Sequence, residues 1–306
     1  MRSSALAALT LAALAVGQRS LHSQVIDLTV HDVGLAIGDK PHMTGLRINF
    51  RDRNLREVNG VNLTLWSPYE PPTGTVNGIA LGIPATGARA INGIALGVIG
   101  VGADHDMTGI GIGGIGIGGG GRLRGIMLGG IGVGSGGGLT GLSIGGIGVG
   151  SGGPVRGVQI GLIGVGGGGE LTGISIGGIG VGSGGNVTGL SIGGVGVGSG
   201  GTVSGVSIGG VGVGAPRLKG VVLSAIGAGA EDVHAIVFAG AYFKVGERGR
   251  FDGGSLSAVN NIRGEQHGLT LGLFNYAHEL HGAQVGLINV SDNGGSRRVL
   301  PVISVR

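Results

Sequence analysis

Residues 187–202 read Val-Thr-Gly-Leu-Ser-Ile-Gly-Gly-Val-Gly-Val-Gly-Ser-Gly-Gly-Thr, and the same phrase starts again at Val203. From Gly189 to Gly198 the large residues Leu190, Ile192, Val195 and Val197 are interleaved with Ser191 and Gly196. Alternation with period two is a strand signal. The pair Gly193-Gly194 supplies positive φ between two short strands. The stretch Gly198–Thr202 reads as a longer turn, because Gly and Ser accept unusual dihedrals.

Moving outward from this unit, Gly93, Gly109, Gly125, Gly141, Gly157, Gly173, Gly189 and Gly205 recur at intervals of 16 residues. Degraded copies continue upstream at Gly45, Gly60 and Gly78, and downstream at Gly220, Gly254, Gly268 and Gly282. Two architectures satisfy the pattern. In a β-solenoid each unit is one coil, and equivalent residues stack at ~4.8 Å. In an antiparallel β-meander, each unit is a hairpin turned by Gly-Gly. The constant length favours coils, because an added residue shifts a stacked ladder. The expected fold is therefore all-β: a glycine-rich repeat β-solenoid of 16-residue coils, with an antiparallel β-meander or barrel as the alternative. Ile and Val are expected to form ladders inside a thin core. Ser143, Ser175, Ser191 and Ser207 are expected to stack on the outer face. Stability should be nearest-neighbour in character, with the irregular ends serving as caps over open strand edges.

Composition supports an unusual architecture. Of 306 residues 78 are Gly, only 8 are Pro and none is Cys. Helical bundles are excluded, since each mid-helix Gly costs about 0.5–1 kcal/mol relative to Ala. Collagen would need Gly at every third position with abundant Pro. Ordinary disorder is disfavoured by a hydrophobic content of 41%. Disulfides and Cys zinc sites are excluded outright.

The chain divides into four stretches. Residues 1–17 read as a signal peptide: Ala5–Val16 is apolar, and Ala15-Val16-Gly17 fits a small-x-small cleavage site. That run is too short to span a bilayer as a helix, which takes roughly 20 residues. Residues 18–77 hold irregular repeats and an N-terminal cap, 78–234 the regular array, and 235–306 degenerate repeats and a C-terminal cap. The expected location is outside the cytoplasm: cell surface, outer membrane or extracellular, with no transmembrane helix.

The motifs of a kind that carries chemistry are weak. GxGxxG-like matches such as Gly196–Gly201 follow from the repeat, and neither Lys-Ser/Thr nor a helix follows them. Asp104-His105-Asp106 sits in a long turn and reads as solvated; the next coil places Gly119-Gly120-Gly121-Arg122 beside it, which is no ligand set. His278-Glu279-Leu280-His281 has its histidines three apart, where a zincin needs four, and reads as a turn between strands. The serine ladder has no His-carboxylate pair to activate it. No catalytic, cofactor-binding or metal residue is assigned, and no cofactor is expected. Arg122, Arg124, Arg156, Arg217, Lys219, Arg297 and Arg298 lie mostly at turns without interleaved aromatics, which disfavours nucleic acid and allows weak attraction to anionic envelope polymers. The Thr108, Thr140, Thr172, Thr188 series is broken by Arg124 and Arg156, against an ice-binding array. Trp66–Pro72 and Phe274-Asn275-Tyr276 read as capping bulges or binding loops.

The segment Gly268–Asn293 resembles bacterial surface-repeat proteins of the leptospiral type, whose tandem motif is GLxLGLFNxxxxxxGxQxGLIN. Gly268, Gly272, Leu273, Phe274, Asn275, Gly282, Gln284, Gly286, Leu287, Ile288 and Asn289 match it, over about the last 40 residues. The resemblance implies a surface or secreted location and no activity. The expected function is accordingly a non-enzymatic secreted or cell-surface structural repeat protein, an envelope scaffold or interaction surface. An outer-membrane β-barrel and a glycine-rich fibre-forming protein are the alternatives. The ligand is unknown; end-to-end or lateral self-association fits the expected shape.

Overall fold

The computed structural model describes residues 25–306, so the proposed signal peptide (1–17) lies outside the described residues. The described chain is a β-solenoid of about 16 turns, 71% strand, with no α-helix. A typical coil has a long strand such as Val187–Gly193, a bend at Gly194-Val195, a short strand Gly196–Ser199, and a turn at Gly200-Gly201. Pairing between coils is parallel and in register: Gly173 pairs with Gly189, Leu190 with Val206, and Val181 with Val197. The meander and the barrel are thereby overturned. Their neighbouring strands would run antiparallel, and these run parallel around a bore filled with side chains.

The repeated glycine found in the sequence is the corner of the coil. Gly189 has φ +112°, and a Cβ placed on it would lie 2.2 Å from the Gly173 carbonyl oxygen. Both the dihedral and the close backbone approach demand glycine there. The same holds at the corner of nearly every coil from Gly45 to Gly220. One expectation shifts by a residue: the downstream corner is Gly253, φ +144°, and not Gly254.

Coil length proves less strict than stacking alone suggests. The corners Gly60 and Gly78 stay paired although the bulge Trp66–Pro72 lengthens that coil, and Gly205 pairs with Gly220 across a shortened Ala215-Pro216 turn. Turns absorb the difference while the ladders keep register.

The interior corrects the sequence expectation most. Val187 and Val197 are buried, and so is Ser191, at 1% exposure. Leu190 and Ile192 face outward with Thr188, and Val195 at the bend is 49% exposed. Ser143, Ser175 and Ser207 are likewise inside, not on an outer face. The cause is geometric. With Val187 inward, strict alternation sends Ser191 and Gly193 inward and the large residues out. The bore is too narrow for the opposite choice: a Cβ on Gly193 would lie 2.0 Å from the Gly196 carbonyl oxygen. Volume is conserved locally. Where Gly111 leaves space in the serine column, the side chains of Met107 and Met127 reach to within 2.8 and 3.0 Å of the missing Cβ position.

Gln159 occupies the same interior column, donating from Nε2 to the Gly141 carbonyl at 3.4 Å, while its Oε1 finds no partner. Methionine already stands at the equivalent position, Met127. Gln159→Met should therefore raise stability by about 1 kcal/mol, because an unpartnered buried acceptor is removed at constant volume. A urea melt measures the shift.

Both ends are closed by an antiparallel strand. Ile26–Val30 folds back on Val33–Ile37, and Arg298–Val305 folds back on Ala283–Ser291. Inside the N-terminal coils, Arg47 is fully buried, bonding Asp39, Asp52 and Asn62. A buried guanidinium is tolerable only with such a complete set of acceptors. Inside the C-terminal coils, Asn260 Nδ2 donates to Asn275 Oδ1 at 2.7 Å, and Asn275 Nδ2 to Asn289 Oδ1 at 2.8 Å. Gln284 donates to Gln266 at 3.1 Å. The Asn and Gln of the resemblance motif are thus stacked interior amides. Asn275→Leu should cost about 2–3 kcal/mol in a thermal or urea melt, since it leaves Asn289 Oδ1 without a donor, takes one acceptor from Asn260 Nδ2 and removes the donor to the Val285 carbonyl.

Candidate interaction surface

Alternation and the glycine corner divide the outside of each coil into three faces. On one side of the corner runs a wholly polar column: Thr44, Asn59, Asn77 and Asn92 lead through Thr108, Arg124, Thr140 and Arg156 to Lys219, His234 and Asp252. Its asparagines bond along the stack, Asn77 to Asn59 at 2.8 Å and Asn92 to Asn77 at 2.9 Å. The Thr series aligns as the spacing predicts, with Arg124 and Arg156 interrupting it.

On the other side of the corner run two aliphatic columns. The first passes in register from Leu35 through Ile94, Ile126 and Leu190 to Ile236. The second passes from Ile37 through Leu96, Ile144 and Ile192 to Phe238 and Leu256. A third column follows the bend from Ile99 to Val211, linked by backbone bonds such as Ile131 N–H to the Ile115 carbonyl at 2.6 Å. None of the three contains a charged residue.

The outward side of the short strand carries only hydrogen. Gly196 and Gly198 flank the inward Val197, and the pattern holds in register from Gly100 and Gly102 to Gly212 and Gly214. A Cβ on Gly102, Gly118, Gly134, Gly150 or Gly182 would meet nothing within 4 Å, and none of these has positive φ. Neither space nor backbone conformation requires glycine at those positions.

The polar motifs stay apart. Asp104-His105-Asp106 is an exposed turn in which Asp104 contacts His105 at 3.2 Å, and Asp106 accepts from the Arg122 backbone N–H at 2.7 Å. His278-Glu279-Leu280 lies in the strand Phe274–Leu280, a correction to the expected turn. His281 stacks on His267 at 4.8 Å, whereas His278 lies beside Phe274 and Tyr276 in an open hollow. Among the described residues no group of three His, Cys, Asp or Glu is placed to hold a metal ion. Ser199 and Ser183, at the ends of short strands, donate to the Gly185 and Gly169 carbonyls at 2.6 and 2.5 Å, so they tie successive turns together. Arg297 bonds Asp292 at 2.8 Å and holds that carboxyl below its usual range.

The Trp66–Pro72 bulge packs by its tyrosine. Arg51 lies 3.7 Å and Arg53 4.7 Å from the Tyr69 ring centre, and Arg53 donates to its hydroxyl at 2.8 Å. That hydrogen bond pulls the phenol pKa down. At the other end Phe238, Leu256 and Leu273 line an open apolar notch of about 520 Å³ where the regular coil gives way.

These features define a capped parallel β-solenoid with one polar, one aliphatic and one bare glycine face. Comparison with protein-family models, curated proteins and solved structures yields no match.

Proposed function

We propose that the chain is a non-catalytic, exported structural rod that presents an extended surface at the cell envelope. The observation that carries this reading is the segregation of faces: polar and aliphatic columns run side by side over most of the described length without mixing. A surface periodic along a rod suits an extended partner better than a small molecule. The apolar N-terminal run in the sequence and the surface-repeat motif at Gly268–Asn289 support export and a surface location. Envelope polymers that are anionic would meet Arg124, Arg156 and Lys219 on the polar column. Fractionation of the native cells tests the proposal. The chain is expected in the envelope or medium with its N-terminus cleaved after Gly17, and a cytoplasmic, uncleaved chain would overturn it.

A further inference from the structure

We infer that the aliphatic and glycine faces together form the interface of a homodimer, two solenoids lying side by side. The apolar columns run for about fourteen coils, which at ~4.8 Å per coil is roughly 65 Å. Two columns about 10 Å wide over that length, widened by about 5 Å over the eight coils of the bend column, give a strip on the order of 800 Å² per copy, the size of a standard stable interface per partner. It is also larger than the apolar patches that monomeric soluble proteins expose, about 300–600 Å². Ile131, Ile147, Ile163 and Ile179 on the bend are each about half exposed, at 49–53%.

Two observations select a second copy over a lipid surface. The first is the bare short strand. Glycine in a strand costs roughly 0.5–1 kcal/mol against alanine, and at Gly134, Gly150 and Gly182 the coil itself derives nothing from it. A missing side chain permits close approach by a rigid, flat neighbour, and a fluid bilayer imposes no such demand. A parallel ladder with the same ~4.8 Å repeat is such a neighbour. The second is the lack of a fringe. Interfacial membrane proteins border their apolar face with Trp, Tyr and Lys/Arg. Between Gly78 and Lys219 there is no aromatic residue at all, and most residues in the adjoining polar column are uncharged Asn, Thr and Ser. A single continuous face used by both copies closes as a two-fold pair and leaves the capped ends free.

Sedimentation velocity of the purified chain over a concentration series tests the inference. The unaltered chain should sediment as a dimer. The pair Gly118→Glu, Gly150→Glu, two coils apart, should fold with an unchanged circular-dichroism spectrum, because both positions face open space, and should weaken dimerisation by about a hundredfold or more. Ile147→Ser with Ile163→Ser, on the bend, should weaken it in the same direction. Thr172→Glu, on the polar column, should leave it unchanged. A chain that stays monomeric throughout, or a dimer indifferent to both double variants, would overturn the inference. So would a monomer that floats with phosphatidylethanolamine–phosphatidylglycerol vesicles, which would assign the face to lipid. The outcome is independent of the fractionation result, since a cytoplasmic chain could still dimerise and an exported one could remain single.

Discussion

Deleting the eight residues 173–180 should abolish the cooperative fold, whereas deleting the sixteen residues 173–188 should leave a shorter folded rod. The longer deletion removes one turn and joins equivalent points of adjacent coils, so Thr172 is followed by Gly189 as Thr188 was before. Every ladder loses one member and remains in register. The shorter deletion leaves half a coil. Eight residues reach at most about 28 Å when fully extended, while a complete turn follows a path about twice as long. The half-coil cannot close: Leu190 loses its partner Ile174, and the retained Val181 is not carried to its place below Val197. In a stack stabilised mainly by nearest neighbours, that break separates two sub-arrays, each with a raw strand edge. Circular-dichroism melts distinguish the cases: a single sharp transition for the longer deletion, and a broad, low-temperature loss with aggregation for the shorter.

Gly189→Val should be the most damaging of the single substitutions considered. Its Cβ would sit 2.2 Å from the Gly173 carbonyl oxygen, and φ is +112°. A β-branched residue at positive φ is a backbone outlier in itself. Relief requires parting two coils at the point where their backbones are closest. Steric overlap and dihedral strain together should cost about 4 kcal/mol or more. Gly182→Ala is the paired comparison. That position has open space and no positive φ, so alanine should be neutral or stabilise the monomeric fold by about 0.5–1 kcal/mol. Urea denaturation of both variants, run under conditions where the chain is monomeric, separates glycine required by the coil from glycine that the coil does not need.

Much of the fold was legible because its strongest constraint is written directly in the sequence. Only glycine fits the corner, and its recurrence at Gly93 through Gly205 exposed the turn length. The polarity of the coil was harder. Reading Ile192 and Val195 as core follows from hydrophobicity alone and fails. The deciding signal was present in Arg124 and Arg156. A charged side chain at Arg124 must face solvent, and alternation then carries Ile126 and Leu128 to the same side. The inward residues are those of opposite parity, Leu123 and Met127 in that coil and Val187 and Ser191 farther on. What hid this was volume. A bore bounded by close backbones holds two aliphatics and a serine, and no composition rule announces how narrow it is. The polar plug around Arg47 was illegible for a different reason. Asn62 is the in-register neighbour of Arg47 in the next coil, but Asp39 and Asp52 come from irregular segments whose approach is set by the cap, not by the repeat. The motif Asn275 and Asn289 were visible only as a resemblance, and their stacking supplies a physical reason for the pattern.

The central physical claim is that the column of Ser191 lies inside the bore beside one or two aliphatics per coil, while the columns of Leu190 and Ile192 line the outside. The chain contains no Cys, so single cysteines can report on it without background. Ser191→Cys and Ile192→Cys, treated in dilute solution with a water-soluble maleimide, test the claim directly. Labelling of Ile192→Cys should proceed in the native state, and labelling of Ser191→Cys should wait for global unfolding in denaturant. A native-state reaction at position 191 with protection at 192 would reverse the two faces and contradict the account.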